Sequence, residues 1–214
     1  TLLDQIDLLL DQSGQNQSLL RADWWQQRAR EIYLTGGAMD EMAKSLEQCF
    51  ALYEKLAPGT RGYATALSDA ANIYSERGDP VQQRRLNERA LAVYAAAPDR
   101  NDADVQVVLG NYARNLELLG EFEPAQDAYT RAEDPARHTH GAQDQRYWLT
   151  LAYHARMLHR RGERTRALEL FRQMNAAIPP DLDASNRGAW ARGLYAGCLA
   201  AEGRAADAIP LLEA

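Results

Sequence analysis

The stretch VLGNYARNLELLGEFEPAQDAYTRA, residues 108–132, decides the fold of this chain. Apolar residues before Gly120 recur every three or four positions, and a second apolar series of the same kind begins at Phe122. This spacing is typical of one face of an α-helix. Glycine suits the turn between two helices, because it adopts left-handed dihedrals without a Cβ clash. The stretch therefore predicts a helix, a tight turn at Gly120 and a second helix.

Glycines repeat this arrangement along the chain at a nearly constant period. Gly78, Gly120 and Gly162 follow one another at equal intervals, and Gly37 and Gly203 continue the series to within one position. A fixed period of this length, about 42 residues, indicates stacked supersecondary units. Each unit is predicted to contain two helices joined at its glycine.

Residues at equal distances from the turn glycines are alike, which supports this register. Seven residues before the glycine the side chain is small: Ala71, Ala113, Ala155 and Ala196. Four residues before it the side chain is large and apolar: Tyr33, Tyr74, Leu116, Leu158 and Leu199. Nine residues after it lie Leu46, Asn87, Tyr129, Phe171 and Leu212, where only Asn87 is polar. Small residues at close approaches and large ones where helices interlock are what helix packing requires.

Composition agrees with an all-α fold. The 214 residues include 37 Ala and 28 Leu but only 5 Val and 5 Ile. Alanine and leucine are good helix formers, whereas β-branched residues favour strands.

The quoted stretch and residues 149–174, LTLAYHARMLHRRGERTRALELFRQM, resemble the tetratricopeptide repeat (TPR). The usual repeat has about 34 residues, and the period here is similar to the longer form found in kinesin light chains and many bacterial signalling proteins. The resemblance implies a right-handed superhelical solenoid of antiparallel helix pairs. We predict one solenoid domain over residues 1–214, a fragment of a longer protein. Its parts are a half repeat at 1–12 and repeats at about 18–56, 61–97, 103–134, 143–178 and 186–214.

Charge and apolar content narrow the set of partners. The formal net charge is −6, which disfavours nucleic acid because an acidic chain is repelled by phosphate backbones. No apolar run reaches the roughly 18 residues of a membrane span. Cys49 and Cys198 show no paired spacing, so a reducing, cytoplasmic setting is expected. Arginine supplies all cations except Lys44 and Lys55, which suggests a GC-rich, bacterial genome.

Motifs for catalysis, cofactors and metals are missing from the sequence. There is no Gly-rich phosphate loop, no Gly-x-Ser-x-Gly and no His-Glu-x-x-His. His138 and His140 could chelate a metal, but an ordinary solvated loop over 134–141 is the favoured interpretation. His154 is expected to be a core histidine. We therefore predict no enzymatic activity, no cofactor and no metal site.

Aromatic residues divide into two groups. Several lie at repeat-packing offsets and are expected in the core: Tyr33, Tyr74, Tyr112, Tyr129, Phe171 and Tyr195. The tryptophans Trp24, Trp25, Trp148 and Trp190 lie near the beginnings of first helices, outside that set. They either cap repeat interfaces or contact a partner.

A concave surface lined by the first helix of each pair is the binding surface that the resemblance implies. In the resembled family the residue six before the turn glycine faces this groove. That position and its neighbours select the candidate site residues Arg30, Asn72, Asn111, Arg114, Tyr153, Arg156, His159 and Arg160, of which Arg30 holds the position if Gly36, and not Gly37, sets the phase of the first unit. Asparagine can pair with a backbone amide and arginine can hold a carboxylate with two hydrogen bonds. The predicted ligand is an acidic or carboxylate-terminated peptide.

Two functions follow from these expectations. The first is a protein-interaction scaffold within a larger bacterial signalling or regulatory protein. The second is a regulatory domain that senses a small molecule or a short signal peptide.

Overall fold

The computed structural model describes residues 2–99, 101–140, 144–179 and 186–213, with the side chains of 134–140, 186 and 213 left aside. These residues form helices and short connections, without a strand among them. In chain order the helices are α1 Leu2–Gln12, α2 Leu19–Leu34, α3 Met39–Leu56, α4 Arg61–Glu76, α5 Pro80–Ala96, α6 Asp102–Leu118, α7 Phe122–His140, α8 Gln145–Arg160, α9 Arg164–Ala177, α10 Asn186–Ala201 and α11 Ala205–Glu213. No helix in the described part is long and apolar enough to cross a membrane.

The helices pack as pairs joined by tight turns. The pairs are α2 with α3, α4 with α5, α6 with α7, α8 with α9 and α10 with α11, while α1 packs on α2. The chain divides into two compact units: unit 1, Thr1–Asn101, contains α1 to α5, and unit 2, Asp102–Ala214, contains α6 to α11. A single domain over residues 1–214 stays a prediction.

The turn between the helices of a pair has the same hydrogen bond each time. The amide of the residue after the turn glycine donates to the carbonyl of the residue four before that glycine, at 2.8–2.9 Å. The accepting carbonyls belong to Ile32, Tyr74, Leu116, Leu158 and Leu199. This bond satisfies a carbonyl at the helix end and requires a residue with positive φ. The turn glycines have φ between 71° and 80°.

The first turn is displaced by one residue from the Gly37 of the glycine series, to the phase that selects Arg30. Gly36, not Gly37, has the positive φ of 71°. Ile32 is therefore the buried residue four before the turn, and Tyr33 is only half-buried. The reason is an extra residue in this turn, since α3 begins three residues after its glycine whereas α5, α7, α9 and α11 begin two residues after theirs.

Packing in both units follows the repeat offsets. The alanines seven before the turn are buried: Ala29, Ala71, Ala113, Ala155 and Ala196. Nine residues after the turn, Asn87, Tyr129 and Phe171 are buried, whereas Leu212 in the last helix is 66% exposed. The prediction that Tyr33, Tyr74 and Tyr112 are core residues is wrong, because all three are half-buried, whereas Tyr129, Phe171 and Tyr195 are buried as predicted.

Helix α7 is longer than predicted. The prediction of a loop over 134–141 is wrong for residues 134–140, because α7 continues through Pro135 to His140. A proline removes one helical hydrogen bond, but the alanine and arginine residues around it favour the helix. The other observed helices begin and end within two residues of the predicted ranges.

Candidate functional site

A cavity of about 370 Å³ opens in unit 2. Its walls come from α6, α8 and α10, the first helices of three successive pairs, with one residue of α7. Three arginines line it, Arg114, Arg146 and Arg187, and its described lining contains no carboxylate. Tyr153 and Trp190 form an aromatic part of the wall. The cavity thus combines apolar surface with cationic groups.

Tyr153 of α8 is the central contact of this cavity. Its ring centroid is 5.0 Å from that of Trp190. The guanidinium carbon of Arg114 lies 4.6 Å from the same ring, and that of Arg156 lies 5.3 Å from it. Arginine held over an aromatic face within about 6 Å is attracted by the ring quadrupole. Three helices therefore meet on one aromatic ring.

Arg146 is held at the start of α8 by its own helix cap. The Asp144 carboxylate caps the helix by accepting from the Arg146 amide at 2.8 Å. It also accepts from Nε and Nη2 of the Arg146 side chain, both at 3.0 Å. The hydrogen bonds from Arg146 to Asp144 raise the pKa of the guanidinium, and the charge of Asp104 acts in the same direction. Arg146 is thus compensated by carboxylates of its own chain.

Arg156 and Arg160 bind a buried carboxylate. The Glu117 side chain is 2% exposed and accepts from Arg160 at 2.7 Å and from Arg156 at 3.2 Å. Tyr129 donates to the same carboxylate at 3.3 Å. Burial and the adjacent Glu117 charge raise the pKa of Tyr129 well above its usual range. A buried charge needs such partners, because its removal from water is costly.

A second cavity, of about 330 Å³, lies in unit 1 between α2, α3 and α4. Arg30 lines it, together with the two carboxylates Asp69 and Glu76. The Gln26 amide donates to Asp69 at 2.7 Å, and the Tyr33 hydroxyl is hydrogen-bonded to Glu76. Loss of water around Asp69 raises the pKa of its carboxyl, while the nearby Arg30 charge opposes the shift. The carboxylates of this cavity are already engaged within the unit.

The predicted site residues are distributed over three places. Asn111, Arg114 and Tyr153 line the unit 2 cavity, and Arg30 and Asn72 line the unit 1 cavity. The remaining three are Arg156 and Arg160, which bind Glu117, and His159, which is half-buried and lines neither cavity.

The sequence reasoning did not select several lining residues of the unit 2 cavity as site residues, among them the polar and aromatic residues Gln106, Arg146, Arg187 and Trp190. Arg146 and Arg187 both lie sixteen residues before their turn glycines, so this repeated offset was a usable signal. Trp190 belonged to the tryptophans considered as partner contacts. Gln106 carried no signal, because Trp148 and Ala189 occupy its offset in the other repeats of the unit.

The other candidate groups either are buried in the interior or lie outside the residues that the structure describes. His154 is buried, as predicted, with Nδ1 2.6 Å from the Glu133 carboxylate. Burial raises the pKa of the Cys49 thiol to about 12 and that of Cys198 to about 11, which disfavours the reactive thiolate. The side chains of His138 and His140 lie outside the described residues. Within the described part, no three His, Cys, Asp or Glu side chains are grouped as metal ligands.

Solved helical-repeat structures are similar to this chain. BtubC (BKLC) from P. vanneervenii has a TM-score of 0.80 and 14% identity, over 99% of this chain and 84% of that chain. A structure of kinesin-light-chain-type, nearly identical TPR-like repeats from Podosopora anserina has a TM-score of 0.74 and 20% identity, over 90% and 92%. YrrB, a TPR protein with an unusual peptide-binding site, has a TM-score of 0.61 and 14% identity, over 97% and 89%.

The predicted fold class is confirmed by these likenesses: the chain has the all-α helical-repeat fold of TPR-like proteins. No protein-family model and no curated protein sequence matches the chain.

Proposed function

We propose that the chain is a protein-interaction module that binds an acidic peptide segment in the unit 2 cavity. The observation that carries this proposal is a cavity lined by Arg114, Arg146 and Arg187, with no carboxylate in its described lining. The chain as a whole has a net charge of −6, so this cavity departs from the average surface. Guanidinium groups bind carboxylates through charge-assisted hydrogen bonds.

Aromatic surface supports a peptide as the occupant. Tyr153 and Trp190 offer flat apolar faces beside the arginines. Aromatic and arginine side chains are enriched where proteins bind one another, because they combine large contact area with polar tips. A peptide that pairs an acidic residue with an apolar one matches both features.

The likeness in fold supports a role in binding rather than catalysis. YrrB, which has a peptide-binding site, shares the fold of this chain at 14% identity. Helical-repeat proteins use extended surfaces of stacked helices to bind partners. The likeness in fold and the arginine-rich composition support the proposal that the chain is a module of a bacterial regulatory or signalling protein. We propose that this module acts by binding a partner in the cytoplasm.

Fluorescence polarisation with labelled peptide libraries tests the proposal. In the Asp library each decapeptide carries Asp at the fixed positions, and in the reference Asn library it carries Asn there. The other positions are randomised in both libraries. The intact chain should bind the Asp library more tightly, and Arg114→Ala should weaken that binding about tenfold, since one charge-assisted hydrogen bond contributes about 1.5 kcal/mol.

Arg172→Ala is the matched control. Arg172 is an exposed arginine of α9 that pairs with Glu169 and lies outside the cavity. Its removal changes the net charge equally and should leave the peptide affinity unchanged. Equal affinity for the Asp and Asn libraries would contradict the proposal.

A small acidic molecule is the second candidate, since ligand pockets typically measure about 300–1,000 Å³ and the cavity of about 370 Å³ falls within that range. Thermal unfolding in the presence of a dicarboxylate such as succinate separates the two. A large stabilisation by succinate, without binding of the Asp library, would favour the sensing function.

A further inference from the structure

A third cavity, of about 360 Å³, lies in unit 2 between α7, α8 and α9, and is called here the α7–α9 cavity. His154 and Leu158 of its lining are buried. The exposed residues of its lining are Thr130, Thr165, Arg166 and Glu169. The cavity therefore extends from solvent to a buried histidine. Its described lining shares no residue with that of the unit 2 cavity.

His154 has one satisfied and one unsatisfied ring nitrogen. Its Nδ1 lies 2.6 Å from Oε1 of Glu133. Because a carboxylate only accepts hydrogen bonds, the hydrogen of the neutral ring is on Nδ1, and Nε2 carries the lone pair. Nε2 is buried and has no hydrogen-bond partner in the described part of the chain. A buried acceptor without a donor costs free energy of folding, so the site lacks a donor that a ligand can supply.

Two contacts hold this imidazole ring in place. Glu133 binds Nδ1, and the Tyr129 ring stacks on the imidazole with centroids 5.3 Å apart and planes inclined by 13°. A group that is held before its ligand arrives needs less ordering when the ligand binds. His154 is therefore preorganised at the buried end of the cavity.

The charged groups of the lining favour a cation. Glu133 and Glu169 are carboxylates, and no lysine or arginine of the described part pairs with Glu133. Glu169 pairs with Arg172 at 3.5 Å, where both side chains are more than half exposed, and such surface pairs are weak. Arg166 is the one arginine of the described lining, and Glu163 already binds it at 2.6 Å. An anion would thus be repelled by two carboxylates that attract a cation.

A primary alkylammonium group meets both requirements. It carries a positive charge and three N–H donors, and it accepts no hydrogen bond. One N–H can donate to Nε2 of His154 while Glu133 and Glu169 compensate the charge. Leu158 and Leu170 provide apolar lining for the attached methylene groups. A metal ion is a poorer match, because no three His, Cys, Asp or Glu side chains are grouped as ligands among the described residues.

We infer that the α7–α9 cavity binds a primary alkylammonium group, which donates to Nε2 of His154 and has its charge balanced by Glu133 and Glu169. Two sources share this chemistry, a lysine side chain of a partner protein and a free alkylamine. The inference goes beyond the acidic-peptide function, because the two cavities recognise opposite charges and neither depends on the other.

NMR titration of the intact chain with n-butylammonium tests the inference, with the ring Cε1–H signal of His154 as the readout. The signal should shift until the site is saturated. Butyltrimethylammonium has the same charge but no N–H, and 1-butanol has a donor but no charge. Each should bind about tenfold more weakly, because each lacks one recognised feature.

The outcomes of the titration bear on separate parts of the inference. Equal affinity for butyltrimethylammonium would overturn donation to Nε2, and equal affinity for 1-butanol would overturn the role of the carboxylates. A His154 signal that does not respond to n-butylammonium would overturn the site as a whole.

Carboxylate variants supply a second test. Glu133→Gln should weaken n-butylammonium binding about tenfold, and Glu169→Gln, at the exposed rim, about threefold. Glu169→Gln keeps the test decisive if Glu133→Gln fails to fold. Glu123→Gln is the matched control, since this 80% exposed glutamate of α7 pairs with Arg161 outside the cavity. Unchanged affinity in both cavity variants would overturn the inference.

Nα-Acetyl-lysine N-methylamide distinguishes the two sources of the ammonium group. Affinity equal to that of n-butylammonium would support a lysine side chain of a partner protein, and affinity about tenfold weaker would support a free alkylamine. Arg114→Ala should leave n-butylammonium binding unchanged, because Arg114 does not line this cavity. Failure of the acidic-peptide function in the library assay would therefore leave the ammonium site standing, and the reverse also holds.

Discussion

The two cavities have similar volumes and opposite lining charge. The unit 1 cavity contains Arg30 with Asp69 and Glu76, whereas the unit 2 cavity contains three arginines and no carboxylate among its described lining residues. Arg30 and Arg114 lie at the same offset, six residues before their turn glycines. The repeat therefore determines where a side chain is placed, and the neighbouring side chains determine whether its charge is available to a ligand.

The largest expected effect is a loss of stability on replacing the arginines that neutralise Glu117. Replacing both Arg156 and Arg160 with alanine leaves a buried carboxylate without its cationic partners. Loss of the partners of a buried charge costs about 3 kcal/mol or more. We expect urea unfolding, followed by circular dichroism, to show this decrease in the free energy of unfolding.

Glu117→Gln in the same background is the control for this measurement. It removes the buried charge and should restore part of the lost stability, because a neutral amide needs no cation. A double arginine variant as stable as the parent chain would show that Arg156 and Arg160 are available to a ligand instead. The division of the unit 2 arginines into structural and binding groups would then be wrong.

An intermediate effect should distinguish Arg30 from Arg114. In the intact chain, Arg114→Ala should weaken Asp-library binding about tenfold, or about 1.4 kcal/mol. Arg30→Ala should change it less than about twofold, because Asp69 already faces Arg30. Fluorescence polarisation measures both. Equal losses would mean that the two cavities bind the same ligand.

The smallest effect concerns the core of unit 1. Asn87 is buried at the offset occupied by Tyr129 and Phe171 in unit 2, and neither polar atom of its amide has a hydrogen-bond partner in the described residues. Asn87→Leu should raise the free energy of unfolding by about 1 kcal/mol, since an unsatisfied amide is removed from the core. Thermal unfolding checks this, with Gln173→Leu on the exposed surface of α9 as the control. A lower melting temperature would show that the extra volume of leucine does not fit.

Much of the fold follows from the sequence, because helix periodicity and turn glycines are local signals. The one-residue difference at Gly36 and Gly37 arose because two adjacent glycines both fit the repeat period, and they are distinguished by the positive φ of Gly36 and the hydrogen bond from Gly37 to Ile32. The error at Pro135 arose because proline is a common stop signal but not an absolute one.

The site was less predictable, because it depends on contacts between helices. The offset rule selected Arg114, which lines the cavity, and equally Arg156, which binds Glu117. Nothing in the local sequence indicates that a carboxylate 39 residues earlier lies beside Arg156. Arg187 was missed although it shares its offset with Arg146, because only offsets closer to the turn glycine were used to select site residues.

Trp190 gives the unit 2 cavity an intrinsic optical reporter. Trp190 is 37% exposed and its ring contacts that of Tyr153, whereas Trp24 and Trp148 are buried and Trp25 is half-buried in unit 1, outside this cavity. A ligand seated on Tyr153 removes water from this indole and leaves the buried tryptophans unaffected. Occupancy of the cavity can thus be followed as a shift of tryptophan emission to shorter wavelength in the unlabelled chain, and Trp190→Phe identifies the part of the signal that belongs to the site.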